Sequence, residues 1–187
     1  VTDTLGLHLS SDGIAAVRVD AAAGTAPTVI GLGADGPLAV CAVGRDDSGA
    51  VVVGAAAVGL DGTVVVDPLE RAANGQIGAL AAVINHVVGR AAAATGSAPR
   101  RLAVVVPDDW AAPQRDRIVE AGAAAGLAQT VTVPASAASA SMSASDLAGG
   151  SSDTGEGALI ALAGGAASAA SLAAAPLVTR EDLGETV

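Results

Sequence analysis

The stretch LAVVVPDDWAAPQRDRIVEAGAAAGLAQTVTVPASAASA, Leu102 to Ala140, decides the fold class. Leu102 to Val106 is a continuous apolar run, short enough for a strand buried on both faces of a parallel sheet. A polar connection, PDDWAAP, leads into QRDRIVEAGAAAGL, where Ile118, Val119, Gly122 and Ala125 share a face and Gly126 stops the helix. Thr130 to Val133 reads as another strand, and Pro134 opens an Ala/Ser-rich helix to about Ser145. Strand and helix alternate in short order, which is the pattern of an α/β sheet.

Working outward, the N-terminal segment TLGLHLSSDGIAAVRVD alternates: Leu5, Leu7 and Leu9 point one way, Gly6 and His8 the other. Ser11-Asp12-Gly13 breaks the run before it resumes at Ile14, so the segment predicts a β-hairpin. Thr28 to Leu32 reads as a third strand. Pro37 to Val43 and Ala50 to Gly54 predict a second hairpin, turned by Arg45 to Gly49. From Asn74 the period becomes helical through Ile77, Leu80, Ile84, Val87 and Val88, ending at Gly96. Helices are thus expected near 75–95, 112–125 and 134–145. They would flank a five-stranded mixed sheet, with a smaller subdomain over about 34–84. Leu159 to Ala163 and Ser168 to Ala173 predict a last hairpin around Gly164-Gly165. Asp146 to Gly157, rich in Gly and Ser, is expected to be mobile.

Composition excludes several functions. The 187 residues are 51% hydrophobic but 1% aromatic, so the core must be built from Ala, Val, Leu and Ile. The formal charge is −10, and every one of the basic residues is Arg. Without lysine there is no lysine-bearing phosphate loop and no lysine nucleophile. An acidic chain lacks the clustered cations that nucleic-acid binding needs. The single cysteine, Cys41, excludes an internal disulfide and a Cys-based zinc site. The uncharged stretch Gly157 to Thr179 carries Gly164-Gly165, Ser168, Ser171 and Pro176, and reads as buried strands instead of a membrane span. No membrane contact is expected, and a cytoplasmic location. Because the chain begins at Val1, it reads as a piece of a longer protein.

Each candidate site has a plainer explanation. GLGADG (Gly31 to Gly36) has dinucleotide-loop spacing, but Pro37 and an extended run follow where a helix would be required, which makes it a turn. Gly122 and Gly126 read as small-residue packing plus a helix stop. His8 and His86 lack partners at ligand spacing, so no metal site is expected. Asp108-Asp109 precede a helix and read as capping carboxylates before acid–base groups. Trp110 reads as a packing anchor and is the interface candidate. Gly164-Gly165 permits close approach of a phosphate, or simply a tight bend.

The order of these elements resembles the N-terminal lobe of DnaK-type heat-shock chaperone ATPase domains, in the actin-like superfamily with its ribonuclease H-like fold. Val106-Pro107, Gln114-Arg115, Ala121-Gly122, Ala125-Gly126-Leu127 and Pro134 match the family's V-P, Q-R, A-G, A-G-L and the proline of its E-P-T-A-A-A in register. Pro37 to Val58 is similar to its P-S-V-V-A-F…D-G…V-L-V-G-x-x-A segment. The resemblance implies two phosphate hairpins, falling here on Ser10, Ser11, Asp12 and Gly13 and on Gly164 and Gly165. It also implies a second lobe missing from this chain.

The departures lie at the chemistry. The family's first-hairpin aspartate is His8 here, and its phosphate-approaching glycine is Ser10. The second-hairpin aspartate is Ala161, the glutamate before the Pro134 helix is Val133, and the lysine has no counterpart. Phosphoryl transfer relies on a metal, its carboxylates and a cation. The expectation is therefore a pseudo-ATPase with no catalytic residues and no cofactor, serving as a module that binds an as yet unidentified protein. The all-arginine, Ala/Val/Gly-rich composition suggests an actinobacterial source, and in such organisms a chaperone-like domain of this kind resembles the soluble part of type VII secretion-associated proteins. Two alternatives follow: an active ATPase taking magnesium and ATP through substitute residues such as Asp12, or a structural fragment without ligand.

Overall fold

A computed structural model describes residues 3–10, 13–20, 27–32, 39–62 and 64–140. The expected α/β architecture is present. Strands β1 (Asp3–Ser10), β2 (Gly13–Asp20), β3 (Thr28–Val29), β6 (Arg101–Val106) and β7 (Gln129–Pro134) form one sheet in the order β3-β2-β1-β6-β7. It is mixed: β1–β2 and β2–β3 are antiparallel, while β1–β6 and β6–β7 are parallel. Strands β4 (Val43–Arg45) and β5 (Val51–Val53) make a separate two-stranded sheet.

Alternation in β6 explains why its sequence is apolar throughout. Leu102, Val104 and Val106 join the larger core, with Leu5, Leu7 and Leu9 of β1, while Ala103 and Val105 join a second cluster with Val133 and Ala138. Both faces are buried, as in a parallel sheet covered on two sides. Helices α2 (Pro68–Ala73), α3 (Gly78–Thr95) and α4 (Ala112–Ala124) supply Leu69, Leu80, Ile84 and Ile118 to the first face. Helix α5 (Ala135–Ala140) lies against the second through Ala138. The buried pair Asp3–Arg18 fastens the sheet to the end of α3. Arg18 donates from Nε to Asp3 Oδ1 at 2.7 Å and from Nη1 to the Ser97 carbonyl at 2.7 Å, and it also reaches Thr95.

Several boundaries need correction. Helix α3 starts at Gly78, and α2 is a separate helix, because Asp67 accepts from the Glu70 N–H at 2.9 Å and Pro68 opens the first turn. A single turn, α1 (Ala55–Val58), follows Gly54 directly. The second hairpin is shorter than Pro37 to Val43 suggests: Ala39 instead bridges Ile14, and Arg45 belongs to β4. The strand over Thr28 to Leu32 shrinks to two residues. On α4, Val119 does not share the buried face; it is 41% exposed while Ala121 takes its place beside Ile118 and Gly122. The Gly157 to Thr179 strands, the Asp146 to Gly157 loop and helix residues beyond 140 lie outside the described residues.

Candidate functional site

The parallel pair β1–β6 places the carboxyl ends of both strands at one edge of the sheet, Leu9-Ser10 on one and Pro107 just beyond the other. A cleft of about 440 Å³ opens there. Asp109 and Trp110 line it from the β6–α4 connection, Asp67, Leu69 and Glu70 from the start of α2, and Cys41 from the chain entering β4. Its apolar lining is Leu9, Leu69, Pro107 and half-buried Trp110, which packs against the main core as the sequence suggests. Its charged groups are Asp67, Glu70 and Asp109, all exposed. Burial, with Asp67 adding negative charge nearby, pushes the Cys41 thiol up to about 11, so it is neutral at physiological pH.

The expected phosphate-hairpin residues divide. Ser10 lines the cleft. Gly13 has a structural reason to be glycine: its φ is +149°, and a Cβ there would lie 2.7 Å from the Ala39 carbonyl oxygen. The flanking Ile14 N–H donates to that same oxygen at 2.7 Å. The close approach at Gly13 is therefore to the chain itself. Ser11, Asp12, Gly164 and Gly165 lie outside the described residues, as does Ala161. His8 projects from the face of β1 opposite Leu7 and Leu9. His86 is half-buried on α3, where desolvation and then the Arg90 charge hold its pKa below the ordinary histidine value. Among the described residues no group of three His, Cys, Asp or Glu side chains is placed to hold a metal ion.

Asp108 does not cap the helix that follows it. Its Oδ1 accepts from the Ser136 N–H at 3.0 Å and from the Ser136 hydroxyl at 2.9 Å, at the start of α5. Those bonds, with Arg115 nearby, hold its carboxyl below the usual range. Helix α4 is served instead by Gln114, which accepts from the Ala111 N–H at 2.9 Å. Gly122 and Gly126 keep their plain roles. Gly126, at φ +82°, ends α4 while the Leu127 N–H returns to the Gly122 carbonyl at 3.1 Å.

Sequence reading missed Asp67, Glu70 and Cys41 as cleft residues. The signal available was Asp67-Pro68-Leu69-Glu70, an N-cap acid, a proline at the first position and a glutamate at the third. No family model matches the chain, and no curated protein is significantly similar to it.

Proposed function

We propose that this chain is a catalytically degenerate actin-like lobe of the DnaK type, acting as a protein-binding or scaffold module, and that its setting is type VII secretion. The observation that carries this is the charge of the cleft at the carboxyl ends of β1 and β6. Its charged lining among the described residues is three carboxylates without a cation. A nucleotide triphosphate brings several negative charges, and its transfer is catalysed by positive groups placed where charge develops. Asp67, Glu70 and Asp109 would oppose that charge unless they held a bridging metal ion, and among the described residues no three such groups are placed to hold one. The five-stranded mixed sheet with helices supports the lobe reading, and the two-stranded sheet β4–β5 supports the smaller subdomain. His8 is a nitrogen donor where magnesium would want oxygen.

The test is phosphate release from magnesium-ATP by the full-length protein, compared with a His8→Asp, Ala161→Asp double variant. The natural protein should match a no-enzyme control. Loss of one electrostatic stabiliser commonly costs ~10²–10³ in rate, and losses within one constellation do not multiply. Turnover well above the control would install the active-ATPase reading instead.

A further inference from the structure

We infer that the Trp110 cleft is a docking site for an arginine- or lysine-bearing segment of a partner polypeptide. This rests on the protein-binding reading above and names the chemistry of the partner. Two independent features point to the cleft. The first is topology. From β1 the sheet is built outward through β2 to β3 on one side, and through β6 to β7 on the other, so the strand order reverses between β1 and β6. Crevices outside the carboxyl ends of strands at such a reversal are where α/β sheets bind ligands. Leu9, Ser10 and Pro107 open onto the cleft at that point.

The second feature is how the lining is arranged. Half-buried Trp110 presents apolar surface over a nearly buried floor of Leu9 and Leu69, while Asp67, Glu70 and Asp109 are exposed. An apolar centre with a charged, wet rim is the anatomy of a protein interface. A site for a small ion would hold its charges buried and converging. The aliphatic stem of an arginine or lysine would lie along Leu9 and Leu69. Its cationic head would sit by the Trp110 ring and the carboxylates, combining cation–π attraction with charge pairing. The neutral Cys41 thiol adds polarizable surface and no competing charge. The volume of about 440 Å³ suits one or two side chains and excludes a folded element.

Trp110 is the only tryptophan, and the chain has no tyrosine, so intrinsic emission reports this cleft without a label. The 187-residue chain is titrated with a capped heptapeptide alternating leucine and arginine, with its leucine–glutamate counterpart, and with spermidine. The basic peptide should shift Trp110 emission saturably, and affinity should fall about tenfold between 50 and 500 mM salt, as rim charges are screened. The Asp67→Asn, Glu70→Gln, Asp109→Asn variant should lose the response. Glu70→Arg, an exposed single change, decides the matter if the triple variant melts early. No shift, an equal shift with the glutamate peptide, or an unchanged response in Glu70→Arg overturns the assignment. Spermidine matching the peptide overturns it in favour of a small organic amine. Phosphate release in the same samples keeps the two proposals separate. Turnover overturns the pseudo-ATPase reading whatever the peptide does, whereas no turnover with no peptide response removes only the cleft assignment.

Discussion

Gly122 sits inside a helix, where alanine would ordinarily gain about 1 kcal/mol from propensity. Here a methyl group would overlap the Thr130 hydroxyl and approach Thr130 Cβ and Cγ2 at 2.8 and 2.9 Å. Rotation of the threonine could move its outer atoms but not its Cβ, which is fixed to β7. Overpacking of this kind costs roughly 1–3 kcal/mol, enough to outweigh the propensity gain. Gly122→Ala is therefore expected to lower stability, and Thr130→Gly in the same chain to restore most of it. Denaturant melts of the four proteins check this; a stabilised single variant would refute it. Cys41 yields a second prediction. With no lysine and no tyrosine in the chain, it is the one side chain whose ordinary pKa invites titration between about pH 8 and 11. In the fold the thiol is raised from 9.0 to about 11, so the native state keeps a proton that the unfolded chain has released. The contribution is intact below about pH 8.5 and is lost as pH rises toward 11. Cys41→Ala should flatten that alkaline decline, measured as melting temperature against pH. Of these residues, Gly122 was legible as packing from its small size and its neighbours. The burial of Cys41 beside Asp67 was not, because it depends on a contact across 26 positions of chain.

At the scale of elements, the strongly periodic segments were the legible ones. The first hairpin, β6, α4 and the body of α3 follow directly from period 2, a continuous apolar run and period 3.6. The short helices α1 and α2 were not, since four to six residues carry too little periodicity to distinguish a helix from a turn, and β3 was legible in place but not in length. Capping misled for a different reason. Asp108 stands just before α4 in sequence, yet β6 and β7 are neighbouring parallel strands, so their C-terminal connections meet and its carboxylate reaches α5. This join predicts a pH effect. The Ser136 bonds favour the ionised carboxylate in the native state and hold its pKa below the unfolded value of about 3.9. The stabilisation is present above that value and disappears as pH falls through the lower native one. Asp108→Asn should consequently melt below the natural protein at pH 7, with the gap closing as pH falls below the ordinary aspartate value. Curves that coincide at pH 7 would show that the Asp108–Ser136 contact contributes nothing to stability, and a gap undiminished in acid would show that its contribution does not depend on ionisation.

For the whole molecule, net charge is the longest-ranged force, and it was fully legible in the sequence. The location of the cleft was not. Asp67, Asp109 and Leu9 come from three distant segments and meet only because β1 and β6 pair in parallel. A net charge of −10 repels itself most strongly in the compact state, so it works against folding at low ionic strength. Salt shortens the screening length from about 30 Å at 0.01 M to about 8 Å at 0.15 M, which relieves repulsion between distant carboxylates. Salt also weakens favourable pairs, but the two ion pairs among the described residues oppose the effect little. Arg117–Glu120 is half exposed on α4, where such pairs contribute a fraction of a kcal/mol. Asp3–Arg18 has side chains only 11% and 10% exposed, and buried charges are screened much less. The repulsive term therefore wins. Raising sodium chloride from 10 to 500 mM at pH 7 should increase the melting temperature by a few degrees, the shift expected for about 1 kcal/mol in a chain of this size. Scanning calorimetry across that range measures it directly, and a melting temperature that falls with salt would mean that attractive pairs outweigh the net charge.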